Sequence, residues 1–179
     1  MRREITVKSR LKLTMVTTII LFMVLWVGSI LPMSDEEAES LMEEAEKFLK
    51  DLTIIDIFLN NFGASLLSYI PFIGMFLMGA IIFHTGRFIG ALSAQLGIDS
   101  MILILSTIIM IYGLVEFLGY GVAVSEGVIL SYSIMKKRLR TEVRWLLISI
   151  GITALLLAFA AVVEWLLIKM FEELAIATI

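Results

Sequence analysis

The chain has 179 residues, of which 60% are hydrophobic and 17% charged, with a net charge of −3 and no cysteine. A soluble domain carries about 25% charged residues, so the composition excludes an ordinary soluble protein and a disulfide or thiolate site. It indicates a single-domain, all-α, polytopic integral membrane protein surrounded by lipid, with no nucleic-acid partner.

A basic segment precedes the first predicted membrane span, at about residues 13–32. Glu4 is outweighed there by Arg2, Arg3, Lys8, Arg10 and Lys12. The apolar stretch is too long for the core of a signal peptide. Because Lys and Arg are retained on the cytoplasmic side, we expect the N-terminus in the cytoplasm.

Residues 34–52 predict an amphipathic helix on the outer side. Ser34 and Glu37 have the spacing of a capping box, and apolar residues then recur at three- and four-residue steps. The opposite face is acidic, whereas helices that seek a lipid surface are normally basic. Two interpretations stay open: a docking surface for a partner, or a helix that lies on the protein's own membrane segments with its acids solvated.

Two further spans are predicted at about 53–70 and 73–96, because 45 mostly apolar residues exceed one crossing. Pro71 and Gly74 mark the break, since proline lacks a backbone donor and glycine permits a turn. In the second of these spans, Gly86 and Gly90 form a G-x-x-x-G pattern that allows another helix to approach closely.

The stretch 101–135 is apolar from end to end, yet it contains Glu116 and Glu126. One straight helix of this length would measure about 52 Å, against about 30 Å for a bilayer core. We therefore expect one broken crossing, hinged near Gly113 and near Gly119–Gly121. Glu116 would lie at membrane depth, either as a functional group or as a protonated or paired carboxylate that holds helices together.

A second basic flank, residues 136–144, precedes the last predicted span at 145–169. Trp145, Trp165 and Lys169 suit the two membrane interfaces, and Glu164 is expected to be hydrated at the far one. If both basic flanks are cytoplasmic, the number of crossings between them is even. Five transmembrane helices in the cell membrane follow, with the C-terminus outside.

Several polar residues fall at membrane depth on this map, and we group them as one candidate intramembrane cluster. Its members are Asp56, Asn60, Asn61, His84, Arg87, Glu116 and Glu126. Since an arginine keeps its charge, we expect Arg87 to pair with Glu116 or Asp56. A lone histidine and scattered carboxylates form no recognised metal-ligand or catalytic motif. We therefore expect no enzyme, catalytic residue, metal or cofactor.

Residues 58–92 and 112–130 resemble the stage II sporulation protein M family, particularly its archaeal members. The matching residues are Asn60, Asn61, Gly86 and Gly90 in the first stretch, and Gly113 and Glu116 in the second. Where bacterial members carry Pro-His before this glycine, the chain has Ile111 and Tyr112. The resemblance implies a five-span membrane scaffold, which in spore-forming bacteria recruits cell-wall hydrolases.

The sequence thus favours a scaffold or assembly factor for membrane or extracytoplasmic proteins. The alternative is a transporter or channel subunit, because broken helices with polar residues at mid-depth build such sites; a lipid-directed enzyme is a third. Two small-residue ladders could serve internal packing or homodimerisation, and five spans leave few helices to bury both, so we expect a homodimer. The ladders are Gly86, Gly90, Ala94 and Gly119, Ala123, Gly127.

Overall fold

The computed structural model describes residues 5–49 and 52–177, and all regular secondary structure in these ranges is helical. The helices are α1 Val7–Ile30, α2 Asp35–Leu49, α3 Ile54–Leu67, α4 Gly74–Leu96, α5 Ser100–Ile109, α6 Tyr112–Met135 and α7 Leu139–Ala177. Four stretches are long and apolar enough to cross a membrane, namely α1, α4, α6 and Leu139–Met170 of α7. The predicted all-helical class is confirmed, and the four apolar stretches suggest a multi-pass membrane protein. Arg2, Arg3, Glu4 and Lys50 lie outside the described residues.

Helix α1 begins inside the basic segment. The Thr6 hydroxyl accepts a hydrogen bond from the Ser9 backbone N–H at 3.2 Å, which caps the helix six residues before the predicted start of the span. Arg10 is therefore a helical residue and is buried. The helix ends at Ile30, two residues before the predicted end of the span at Pro32, because the residue preceding a proline is disfavoured in helical conformation.

Helix α2 lies on α4, as one of the two interpretations of the sequence required. The Ser34 hydroxyl accepts a hydrogen bond from the Glu37 N–H at 3.2 Å, which confirms the predicted helix start. Leu41 on the apolar stripe is 7% exposed. The acidic residues of the other face are exposed.

The break at Pro71 and Gly74 is confirmed, since α3 ends at Leu67 and α4 begins at Gly74. The turn is tight. Phe72 has a φ of +68°, and its N–H donates to the Ser131 hydroxyl at 2.7 Å. A Cβ at Gly74 would collide with the Ser68 backbone, so this position requires glycine.

The long apolar stretch is divided at Met110 and Ile111 into the short α5 and the long α6. Ile111 has a φ of +69°, and a Cβ at Gly113 would lie 2.8 Å from the Thr107 carbonyl oxygen. The hinge predicted near Gly113 is confirmed. The hinge predicted at Gly119–Gly121 is wrong, because α6 runs through both glycines without interruption.

Helix α6 is the centre of the bundle and packs against α1, α3, α4, α5 and α7. Contacts between Thr14 and Ser125, and between Thr17 and Gly121, show that α6 is antiparallel to α1. Helix α7 follows α6 back, and Thr153 contacts the Gly119 carbonyl. The apolar core consists of Leu21, Leu25, Met78, Ile82, Ile104, Phe117, Tyr120, Val124 and Leu157.

The glycines of both small-residue ladders pack within the chain, whereas Ala94 of the first ladder is exposed. A Cβ at Gly28 would lie 2.5 Å from the Phe83 carbonyl oxygen, and one at Gly90 would lie 2.7 Å from the Ser29 carbonyl oxygen. These contacts also show that α1 and α4 run parallel. In the second ladder, Gly119, Ala123 and Gly127 are all buried. The glycines of both ladders are thus occupied internally, and the homodimer stays a prediction.

The two ends of the bundle differ in charge. We call the end where α1 begins and α6 passes to α7 the basic end, and the end that carries α2 the acidic end. Helix α7 spans both, because its 39 residues measure about 58 Å and extend beyond the predicted 145–169 in both directions.

Candidate functional site

The structure disperses the predicted polar cluster over separate places. Asp56 is exposed and caps α3, where its carboxylate accepts a hydrogen bond from the Thr53 N–H at 3.0 Å. The Thr53 hydroxyl accepts from the Asp56 N–H in return, a capping box that we did not predict. Asn60 donates to the Asn61 amide oxygen at 3.3 Å, and His84 is exposed on α4.

The predicted partners of Arg87 are wrong, because Arg87 binds Glu37 of α2. Its Nε and Nη2 lie 2.9 and 2.7 Å from the same Glu37 carboxylate oxygen. Its Nη1 donates to the Leu31 carbonyl, at the end of α1, at 2.6 Å. We call these three groups the Arg87 anchor. Since the anchor joins α4, α2 and the end of α1 through charge-assisted hydrogen bonds, it fixes α2 on the acidic end.

A second ionic site lies at the basic end and consists of Arg10, Glu126 and Glu142. We call it the Arg10 triad. Arg10 Nη1 donates to Glu126 at 2.6 Å, and Nη2 donates to Glu142. The guanidinium also lies 4.7 Å from the centre of the Trp145 ring. The triad therefore joins α1, α6 and α7, each through a charged side chain that is at least nine-tenths buried.

Sequence reasoning missed this triad because it placed Arg10 and Glu142 in the two basic flanks and grouped Glu126 with polar residues of other helices. Helical periodicity contains the missing signal. Arg10, Thr14 and Thr17 share one face of α1 with the core residue Leu21. Because Arg10 lies on the same face of α1 as the core residue Leu21, its side chain is directed toward a neighbouring helix.

Hydroxyl groups continue this face along the contact between α1 and α6. Thr14 and Ser125 share a hydrogen bond at 3.0 Å, and Thr17 donates to the Gly121 carbonyl at 2.9 Å. A Cβ at Gly121 would collide with Thr18, so the glycine is what permits the close approach. Small residues and hydroxyl hydrogen bonds are the usual means of joining helices in lipid.

Glu116 lies on α6 away from both ionic sites. It accepts a hydrogen bond from Tyr120 one helical turn further along. Glu164 of α7 is an electrostatic neighbour of Glu116 and of Tyr112. Glu164 is half-buried in the bundle, and its predicted hydration stays a prediction. Two carboxyl groups on adjacent helices thus share one part of the bundle.

Within the described residues, no three acidic or histidine side chains come together in a way that could hold a metal ion. Comparison of the chain with family models, with curated proteins and with solved structures found no match. The resemblance to the stage II sporulation protein M family therefore stays a prediction that rests on the residues quoted for it.

Proposed function

We propose that the chain crosses the cell membrane five times, with the N-terminus in the cytoplasm and the C-terminus and α2 outside. Chain direction supports the number. Because α1 and α4 run parallel, the segment between them has to return the chain to the basic end. Helix α3 leads into the turn beside Ser131 at that end, which supports α3 as a crossing in addition to the four long apolar helices. The Lys and Arg residues of the basic end favour the cytoplasmic side.

We infer that the protein is a non-enzymatic membrane scaffold or assembly factor, the role that the family resemblance implies. The observation that carries this proposal is the Arg87 anchor, which holds α2 in one position with its acidic face exposed. That face consists of Asp35, Glu36, Glu39, Glu43, Glu44 and Glu46. Because a fixed surface loses little conformational entropy on binding, it suits a membrane or extracytoplasmic protein with a basic contact segment.

The state of the other polar residues supports a scaffold over the transport site that the sequence suggested. A transport site built from Asp56, His84, Arg87 and Glu116 needs these four side chains to face one cavity. Asp56 and His84 are exposed, and Arg87 is engaged with Glu37. The four side chains therefore lie in separate places and do not face one common cavity.

Photo-crosslinking in native membranes tests the scaffold proposal. A photoreactive residue at Glu43 is expected to capture one partner in stoichiometric amount. A matched probe at Gln95, exposed on α4 at the same end, is expected to capture much less. Changing Glu36, Glu39 and Glu46 to Gln should lower the capture at position 43 by about 3- to 100-fold, because each of the three exposed ion pairs contributes a few tenths of a kcal/mol to about 1 kcal/mol. Absence of a partner, or capture that is unchanged in the neutral variant, contradicts the proposal.

A transporter or channel subunit is the second candidate, and the placement of Glu116 and Glu164 within the apolar helices α6 and α7 favours it. Ionisable residues at membrane depth commonly mark ion or proton pathways. Proton flux into liposomes, measured with an enclosed pH-sensitive dye, tests this role. Flux that is abolished by Glu116→Gln and retained by Glu43→Gln supports transport. Absence of flux in the unaltered protein removes this candidate.

A further inference from the structure

Cations from separate parts of the chain meet at the basic end. Exposed members lie on the first turns of α1, in the turn after α6 and on the start of α7, namely Lys8, Lys12, Lys136, Lys137, Arg140 and Arg144. The Arg10 triad holds the start of α1 against α6 and α7. Exposed cations from stretches more than 120 positions apart in sequence therefore lie at the same end of the bundle.

Acidic side chains at this end are withdrawn from the surface. Among the described residues, the carboxylates of the basic end are Glu126 and Glu142, and both are buried against Arg10. The exposed cations consequently keep an excess of positive charge, which attracts anions over about a Debye length.

The surroundings of the surface are apolar and aromatic. Leu11, Met135 and Leu139 are exposed beside the cations. Tyr132 lies 5.7 Å below the Lys136 ammonium, and the Trp145 ring lies against Arg10. Aromatic rings of this kind mark the level of the lipid headgroups in membrane proteins. An anion at this position is therefore bordered by lipid-facing side chains.

We propose that the basic end binds the headgroups of anionic phospholipids. Each phosphate would be held by Lys and Arg side chains from two chain segments, while the acyl chains cover the exposed apolar side chains beside them. This inference requires that the bundle lies in a membrane, and it is independent of the scaffold role and of any partner at α2.

Quenching of Trp145 fluorescence by brominated lipids tests the proposal in the intact chain. The chain has three Trp residues, so Trp26→Phe and Trp165→Phe leave Trp145 as the reporter at the basic end. Liposomes of phosphatidylcholine and phosphatidylglycerol are prepared with bromine on one lipid or the other. At low salt, we expect quenching to show that phosphatidylglycerol is preferred over phosphatidylcholine at least about threefold beside Trp145. The preference should decline as added salt screens the charges.

Two outcomes in the unaltered basic end overturn the proposal. One is equal quenching by the two brominated lipids at low salt. The other is loss of the preference on addition of inorganic phosphate at constant ionic strength, which would assign the surface to free phosphate. Neither measurement requires a change in the basic flank, so neither depends on the folding or insertion of a charge variant.

Charge variants then locate the binding surface. Changing Lys136, Lys137, Arg140 and Arg144 to Gln is expected to bring the lipid preference close to one. Arg140→Lys with Arg144→Lys keeps the charge and should keep the preference. Lys47→Gln removes an exposed cation at the acidic end and should leave it unchanged. A preference that survives the fourfold Gln variant overturns the proposal.

Discussion

The guanidinium of Arg10 is opposed by two buried carboxylates, so its removal leaves two uncompensated charges in the bundle. Breaking a buried ionic group by removing one partner costs about 3–5 kcal/mol. We expect Arg10→Gln to lower the free energy of unfolding by about this amount, measured by denaturant titration in mixed micelles. Lys12→Gln, a change on the same helix at an exposed position, should alter it by less than about 0.5 kcal/mol.

The same triad can be tested by replacing it completely. Arg10→Met combined with Glu126→Leu and Glu142→Leu removes all three charges and fills the space with apolar groups. Because such replacements of buried ion triads are often neutral or stabilising, the triple variant should recover most of the stability that Arg10→Gln loses. Equal losses in the single and triple variants would show that the triad is not the source of the effect.

The effect of Arg87 on α2 can be measured separately from any effect on the rest of the bundle. Arg87→Leu removes the hydrogen bonds to Glu37 and Leu31, which contribute about 1.5–3 kcal/mol each when charged. We expect amide hydrogen exchange in residues 35–47 to become at least about 100-fold faster, while exchange in α6 stays unchanged. His84→Leu, an exposed change one turn earlier on α4, is the control and should have no effect on α2. Faster exchange throughout the bundle would contradict a local role.

The sequence identified Arg87 as a residue that needs a partner, because an arginine near apolar residues has no neutral form. It could not identify Glu37, since that carboxylate also suits a capping box and a solvated face. Asp56 was misassigned for a related reason. A carboxylate three residues after a threonine caps a helix start, and this local bond removed Asp56 from any long-range site.

Single helices were predictable where a local rule sets their bounds. The helix start at Ser34 and the breaks near Pro71 and Gly113 follow from capping and from backbone geometry. The role of Gly119 and Gly121 was not predictable in this way. A glycine inside an apolar helix permits either a bend or a close neighbour, and the sequence does not show which. In the structure, Leu157 lies against Gly119 and Thr18 against Gly121, so both glycines serve helix packing.

The contact between α1 and α4 gives a test at the scale of the helix pair. A Cβ at Gly86 would collide with the Leu25 carbonyl of α1, so Gly86→Ala has to push the helices apart. Overpacking of this kind costs about 1–3 kcal/mol. Gly79 lies on the same helix, and a Cβ there would have no atom of another described helix within 4 Å. Gly79→Ala should therefore be neutral or stabilising by up to about 1 kcal/mol. Unfolding in mixed micelles compares the two, and equal effects would exclude this contact as the cause.

At the scale of the whole molecule, the parallel course of α1 and α4 determines how α3 must run. The 14 residues of α3 measure about 21 Å, which is less than a bilayer core of about 30 Å. Composition predicted a crossing here, but the length of the helix was fixed by the Thr53 cap at one end and the turn before Gly74 at the other. The turn is therefore expected to lie slightly inside the membrane interface at the basic end.

Labelling of introduced cysteines tests this arrangement, and the absence of native cysteine leaves no background. Ser9→Cys and Thr141→Cys should react with a membrane-impermeant maleimide from one side, and Ser40→Cys from the other. Phe72→Cys in the α3–α4 turn should react from the side of Ser9 and Thr141, more slowly than either because the turn lies deeper. Reaction of Phe72→Cys from the side of Ser40 would mean that α3 does not cross. The parallel course of α1 and α4 would then be incompatible with two full crossings, and the five-span arrangement would have to be abandoned.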